Sequence, residues 1–284
     1  MEWYTNDTTI PGNSTIAWDS PLVTYKQICG QDPSSSCCGH DPVGIWADCD
    51  WTSRNPWRAP GSAPIVSPCG YDGGNPQGCP PGNADPGGCA QGGYGHGPDG
   101  RSLRGNLWPA NWTIGGEAEV AWSISANHGG GYSYRLCPKP KDHAALTEAC
   151  FQAHPLRFVG DTQWVQHKRD VSTRAAIKAM RTEVGTHPAG SHWTRNPVPA
   201  CDHYDGGVFW CNGEQFPPPV GPGGAKVKGY RTLPWNIVDR VHVPSELPAG
   251  DYVLSFRHDC EQTPQVWNQC ADVRLQESEE NAQR

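Results

Sequence analysis

One histidine in this chain has neighbours that favour metal binding. His128 lies between two segments whose apolar residues repeat with a period of two, and Gly129, Gly130 and Gly131 follow it at once. An imidazole nitrogen is a good ligand for transition metals, and glycines allow a ligand or another backbone to approach closely. The plainer interpretation is a hairpin loop that happens to contain a histidine, and on these residues alone it is the favoured one.

The segments on either side of His128 have the alternation of half-buried strands. Val120 and Trp122 alternate with small polar residues within Glu117–Ser125, and the same pattern runs through Tyr132–Cys137. This pattern predicts a strand, a turn and a second strand, with His128 in the turn.

Other parts of the chain predict further elements of the same kind. Further strands are predicted at Leu107–Ile114, Phe158–Gln166, Asn236–Val243, Asp251–Asp259 and Gln265–Leu275. The residues Ala144–Cys150 suggest one helical turn, and Thr173–Val184 fits either a helix or an edge strand.

Composition limits the class of protein. Of 284 residues, 34 are glycine and 28 are proline, which predicts many turns and few long helices. Charged residues make up 18% and the net charge is −7, without a basic stripe, so nucleic acid is not an expected partner. No apolar run approaches the ~20 residues that span a bilayer.

The cysteines indicate an oxidising compartment. Thirteen cysteines without a repeated metal-finger spacing predict disulfides, and therefore a secreted or cell-surface protein. Cys201 and Cys211 bracket a short loop, and Cys260 and Cys270 are also assigned to disulfides. Glycosylation sequons agree with secretion, and they begin at Asn6, Asn13 and Asn111. Residues 1–4 do not resemble a signal peptide, so we expect the full precursor to differ from this chain.

The whole is predicted to be one domain. Residues 1–276 form it, and residues 29–100 are an insert rich in cysteine, glycine and proline that only disulfides can hold over a β-core. Residues 277–284 are a polar tail.

The C-terminal third resembles the lytic polysaccharide monooxygenases. The resemblance begins with Leu247–Val273, where a Pro-Ala-Gly-Asp turn feeds one strand and Thr263-Pro264 opens the next. The segments Asn55–Pro64, Leu146–Phe151 and Trp193–Cys201 are similar to a secreted subgroup of such proteins. The resemblance implies an all-β, immunoglobulin/fibronectin-like antiparallel β-sandwich with long disulfide-stapled loops.

The resemblance also implies site residues. In that family copper is held by a histidine brace, formed by the amine and side chain of an N-terminal histidine and by a second histidine. His128 looks like the second histidine, Trp267 falls at the axial position three residues before Cys270, and Gln265 matches a glutamine beside the reactive oxygen. This chain departs from the family pattern in two ways, since Met1 is not histidine and Trp267 stands where tyrosine or phenylalanine is usual.

Two other candidates have structural interpretations. His258 continues the face of Tyr252 and Phe256, so it is predicted to be a hydrogen-bonded core histidine. Asp259 and Glu261 share a strand face and sit too close together to flank a glycosidic bond, which argues against hydrolysis.

Three functions remain open. The first is a secreted protein that binds extracellular polysaccharide and has no copper in this form. The second is an active copper monooxygenase, if the mature chain begins at an upstream histidine. The third is a self-associating subunit of an extracellular fibre or surface layer. The candidate aromatic residues for glycan binding are Trp51, Trp57, Trp108, Trp112, Trp193, Trp210 and Tyr204.

Overall fold

The fold is a sandwich of two β-sheets. The computed structural model describes residues 57, 60–63, 65, 67–70, 99–103, 105, 109–123, 129–167, 170–197, 235–260 and 266–278. Within these residues sheet A has six strands in the order β1-β10-β9-β3-β7-β6, and sheet B has four in the order β2-β8-β4-β5. All pairings are antiparallel except that of β1 with β10. The predicted all-β sandwich class is confirmed.

The strands and the one α-helix of the described residues have these bounds: β1 Ala110–Thr113, β2 Glu117–Ser123, β3 Gly131–Pro138, α1 Glu148–Gln152, β4 Thr162–His167, β5 Ala175–Lys178, β6 Arg181–Thr182, β7 Trp193–Arg195, β8 Trp235–His242, β9 Gly250–Asp259 and β10 Val266–Gln276. Short 3-10 turns lie at Gly100–Ser102, His143–Ala145 and Val171–Thr173.

The hairpin predicted around His128 is wrong. Strands β2 and β3 both form where they were predicted, but β2 pairs with β8 in sheet B and β3 pairs with β7 and β9 in sheet A. The chain therefore crosses from one sheet to the other between them. Local alternation identifies a half-buried strand, but it does not say which sheet contains the partner strand.

The segment that fitted either a helix or an edge strand is neither one helix nor one strand. Residues Ala175–Lys178 pair with β4 in sheet B, and Arg181–Thr182 pair with β7 in sheet A. The chain changes sheets at the buried Ala179 and the partly buried Met180, which joins the two layers at this edge.

The core between the sheets is strongly aromatic. It contains Trp122 from sheet B and Tyr132, Tyr134 and Phe256 from sheet A. The rings of Trp122 and Tyr132 meet edge to face with centroids 4.8 Å apart, a favourable arrangement for aromatic pairs. The alternation in β2 is thus explained by burial of one face, whereas both faces of β9 are covered, and its aromatic residues face the core.

A polar link crosses this core. The Tyr132 hydroxyl donates to Asp239 Oδ2 at 2.5 Å, and Arg181 Nη2 donates to Asp239 Oδ1 at 3.3 Å. Gln163 Nε2 donates to the Tyr132 hydroxyl at 2.9 Å. Asp239 is fully buried, and burial raises the pKa of its carboxyl to about 6, although Arg181 and Tyr132 act in the opposite direction.

The outer face of sheet A carries a second buried layer. Arg135 on β3 and Arg257 on β9 both bind the Glu148 Oε1 carboxylate oxygen of α1, with Arg257 Nη1 at 2.8 Å. Arg257 Nε also donates to Asp259 Oδ1 at 2.7 Å. Burial alone would raise the pKa of Glu148, but Arg135 and Arg257 hold it below its usual range.

Residues 60–63 and 67–70 contact this layer. Arg257 Nη2 donates to the Ala63 carbonyl, the Gly61 amide donates to Asp259 Oδ2, and Ser255 Oγ donates to the Pro68 carbonyl.

Two disulfides hold the outer layer to sheet A. Cys69 is bonded to Cys270 on β10, and Cys137 on β3 is bonded to Cys150 on α1. Disulfides are thus present, as the cysteine count predicted.

Removal of the Glu148 carboxylate should destabilise the fold strongly. Glu148→Ala leaves two buried guanidiniums facing each other with Asp259 as the remaining carboxylate in the cluster, and we expect a loss of roughly 3–5 kcal/mol in unfolding free energy. Glu183, whose ion pair with Arg157 is exposed, is the matched control, and Glu183→Ala should cost less than about 1 kcal/mol. Urea unfolding at pH 7 measures both, and equal losses in the two variants would contradict this prediction.

Asp239 should make stability depend on pH in an unusual direction. Because the pKa of about 6 in the folded state is above the ordinary value of 3.8, the folded state binds this proton more tightly. The contribution of Asp239 is therefore largest below pH 4 and is lost as the pH rises through 6. Relative to Asp239→Asn, the wild type should lose about 3 kcal/mol of stability between pH 4 and pH 7. A constant difference between the two proteins in urea unfolding across this range would rule out the elevated pKa.

Candidate functional site at the end of the sandwich

The candidate site lies where β3 begins and β9 ends. Three neighbouring strands align there, with Tyr132 on β3 opposite His258 on β9, and His258 opposite Trp267 on β10. His128 itself lies outside the described residues, but the residue that follows it, Gly129, is described and fixes where the loop enters β3.

The buried His258 side chain has a structural role. Its Nε2 lies 2.7 Å from the Gly129 carbonyl oxygen, and because a carbonyl only accepts, Nε2 carries the hydrogen. The ring is 4% exposed and packs against Trp122 and Phe256, with centroids 5.3 and 6.2 Å away. Burial lowers the pKa of His258 to about 4, although the Gly129 hydrogen bond and Asp259 act against it. The imidazole is therefore neutral at physiological pH, as expected for a satisfied core histidine.

The glycines after His128 allow other parts of the protein to pack closely against the backbone. A Cβ on Gly130, whose φ is +81°, would come within 1.9 Å of the Asp259 carbonyl oxygen. A Cβ on Gly131 would come within 2.3 Å of the Trp57 ring. The close approach that the glycine run predicted is thus that of the Asp259 backbone and the Trp57 indole.

Trp57 and Trp193 are not surface platforms. They are 0% and 1% exposed, and their rings pack together with centroids 6.2 Å apart. The Trp57 amide also donates to the Cys260 carbonyl at 3.1 Å, next to the end of β9. Their assignment to glycan binding is corrected, because neither ring presents a face to solvent. Trp112 is also buried, at 8% exposed.

Trp267 remains partly exposed at the same end of sheet A. By alternation along β10 it shares a sheet face with Val273 and Leu275, which belong to the core. Its indole has one N–H donor and no oxygen acceptor. At an axial metal position it can cover the site but cannot supply a phenol oxygen.

The described residues do not fit a copper site. His258 uses Nε2 for the Gly129 carbonyl, and within the described part of the chain no group of three His, Cys, Asp or Glu side chains converges. The two other residues assigned to copper chemistry, His128 and Gln265, are outside the described residues.

The remaining predicted site residues fall into two groups. Asn111 is exposed on β1, and Cys270 is bonded to Cys69, while Cys260 is buried beside the end of β9. The rest lie outside the described residues, and these are Trp51, Trp108, Trp210, Tyr204, Asn6, Asn13, Cys201 and Cys211.

One aromatic residue with a suggestive environment was not predicted. Trp164 is partly exposed on β4, and guanidinium carbons of Arg174 and Arg240 lie 5.9 and 5.3 Å from its ring centroid. The alternation of Gln163, Trp164 and Val165 could have placed its ring on the outer face of a strand. Arg240 lies on β8 and Arg174 just before β5, so no motif near Trp164 in the sequence reveals these contacts.

Comparisons with known proteins yield only distant similarities. No protein-family profile and no curated protein matches the chain. A lytic polysaccharide monooxygenase from Thermobia domestica in the Cu(I) state is 14% identical with a TM-score of 0.29, over 58% of this chain and 62% of that one, which is less than two thirds of its length. A cellulose-active lytic polysaccharide monooxygenase in complex with copper is 14% identical with a TM-score of 0.30, over 90% of this chain and 96% of that one.

A family 123 glycoside hydrolase from Clostridium perfringens is 8% identical with a TM-score of 0.24, over 62% of this chain and 24% of that one. Scores this low assign no function, so function has to be argued from the contacts of this chain. Among the described residues, no helix has both the length and the apolar character needed to cross a membrane.

His258 should make stability depend on pH in the direction opposite to that expected for Asp239. Its pKa of about 4 in the folded state is below the ordinary 6.5, so its contribution is complete above pH 6.5 and is lost as the pH falls through 4. His258→Gln keeps an N–H donor for Gly129 without a titrating ring. Between pH 6.5 and pH 4 the wild type should lose about 3 kcal/mol relative to this variant in urea unfolding. A difference that does not change with pH would mean that the ring titrates normally.

Proposed function

We propose that this chain is a non-catalytic extracellular protein that binds polysaccharide. One observation carries the proposal. At the candidate site the imidazole of His258 is closed off by the Gly129 carbonyl, while the indole of Trp267 on the neighbouring strand stays partly exposed. The end of the sandwich thus offers an aromatic surface, and the Nε2 atom of His258 is not available to bind a metal.

An indole suits a polysaccharide better than it suits catalysis. Its flat ring can stack on the C–H face of a sugar, and its N–H can donate to a hydroxyl. It has no acid, base or oxygen ligand for a reaction. A partly exposed tryptophan on a rigid strand end therefore favours binding over turnover.

The covalent features support an extracellular setting. The Cys69–Cys270 and Cys137–Cys150 disulfides are of the kind that persist in oxidising compartments. The sequon at Asn111 lies on an exposed strand position that a glycan can reach. Both observations favour secretion.

A copper titration separates binding from oxidation. We expect Cu(II) added calorimetrically to the glycosylated protein, secreted from its full-length precursor, to produce no saturable one-to-one binding that depends on His128. The variant His128→Ala is the control. Sub-micromolar binding that disappears in this variant would instead place the copper monooxygenase first.

A polysaccharide pull-down tests the proposal directly. The same protein should be retained on insoluble cellulose or chitin, and Trp267→Ala should weaken retention about tenfold if the indole is a central contact. Arg274→Gln, an exposed change on the same strand, is the control and should have no effect. No retention on any polysaccharide, together with concentration-dependent self-association in sedimentation, would favour the structural subunit.

A further inference from the structure

The outer face of sheet B has a second aromatic site. On β8, Ile237 and Val241 belong to the core, so by alternation Val238 and Arg240 lie on the outer face, where neighbouring side chains cover Val238. Across this face Trp164 lies opposite Val238 on one side and Ala176 on the other, and Val238 lies opposite Ala121. The indole thus stands in a row of small aliphatic residues, with no large side chain beside it in that row.

One arginine is fixed beside this row. Arg174 donates to both carboxylate oxygens of Glu119, at 2.7 and 2.9 Å, and to Gln166 Oε1 at 2.9 Å from Nε and 2.7 Å from Nη2. Its hydrogen bond to Glu119 raises the pKa of Arg174 and lowers that of Glu119, so both stay ionised. A guanidinium held in this planar, two-point geometry keeps its position without a ligand.

A second arginine is less constrained. Arg240 lies 5.3 Å from the Trp164 ring centroid, while its nearest ion-pair contact, to Glu117, is 3.7 Å long and its side chain is 51% exposed. Its N–H groups can therefore turn toward a ligand. We call Trp164, Arg174, Arg240, Glu119 and Gln166 together the Trp164 face.

The chemistry of the Trp164 face defines its occupant. An indole offers a flat apolar contact, Arg240 offers donors, and the half-exposed Glu119 carboxylate offers acceptors, which is the combination that a sugar ring with several hydroxyls requires. Within the two ion pairs the charges cancel, because Glu117 and Glu119 balance Arg174 and Arg240, and Lys178 on β5 adds one exposed positive charge to the same face. A neutral ligand fits this balance better than a polyanion does.

We infer that the Trp164 face is a binding surface for a neutral polysaccharide, separate from the Trp267 end of the sandwich. The inference rests on the proposed polysaccharide-binding function and names a second surface for it. A sugar ring lies against Trp164, and its hydroxyls hydrogen-bond to Arg240 and Glu119, while Gln166 holds Arg174 from below. The Arg174–Glu119 pair holds the acceptors in place before the polysaccharide arrives, which lowers the entropy cost of binding.

Affinity electrophoresis of the full glycosylated chain tests the inference. The probes are hydroxyethylcellulose and xylan as neutral polymers and polygalacturonate as the anionic one. Trp164→Ala should weaken binding to a neutral polymer by about tenfold or more, as expected for a central aromatic contact. Arg240→Gln, a change at an exposed side chain, should weaken binding by about threefold, because one donor group is lost. Arg274→Gln on sheet A is the control and should leave binding unchanged.

The outcomes separate this inference from the proposed function. If the wild type binds a neutral polymer and both Trp164→Ala and Arg240→Gln bind it equally well, while Trp267→Ala does not, the Trp164 face is refuted and polysaccharide binding stands. If the wild type binds none of the polymers, the proposed function fails and this inference fails with it. Stronger binding of polygalacturonate that Arg240→Gln abolishes would overturn the neutral assignment. Arg240→Gln keeps the test decisive should Trp164→Ala fail to fold.

Discussion

The outer layer of the molecule depends on a buried charge cluster. Arg257 and Asp259 have essentially no solvent contact, so each needs protein partners to replace lost hydration. Glu148 and the backbone groups of residues 60–63 supply those partners. The backbone of residues 60–63 is thus held by hydrogen bonds to buried charged side chains, which apolar side chains could not form. The Cys69–Cys270 disulfide fixes residues 67–70 covalently to β10.

The same strand connects this cluster to the candidate site. Successive residues of β9 point to opposite faces, so Arg257 and Asp259 face the outer layer while His258 faces the core. The Asp259 carbonyl lies against Gly130, and His258 binds the carbonyl of Gly129. The entry of the loop into β3 is therefore set from both faces of β9. Disruption of the charge cluster should therefore shift the positions of Gly129 and Gly130 at the candidate site, although no charged group of the cluster lies there.

Sequence reasoning succeeded where the cause was local. The alternation in β2 reflects burial of one face, and that in β9 reflects an apolar core face opposite a polar one, so it correctly predicted strands and the core position of His258. It failed where the cause was distant in the chain. Trp57 is buried because it lies against Gly131 and Trp193, and no pattern near Trp57 encodes those contacts. The false hairpin has the same origin, since strand partners are chosen by packing of whole sheets.

The contrast between the two aromatic sites bears on function. At the sandwich end the polar group beside the aromatic residues, His258, is neutral and already satisfied, so this end contributes an apolar contact and little else. On sheet B the charged groups around Trp164, which are Arg174, Arg240 and Glu119, remain partly exposed, and Arg174 is held in place by Glu119. Donors and acceptors fixed before binding provide specificity, whereas an indole provides mainly contact area. Under the proposed function, discrimination between polysaccharides should therefore arise at the Trp164 face, with Trp267 adding affinity that depends little on the identity of the sugar.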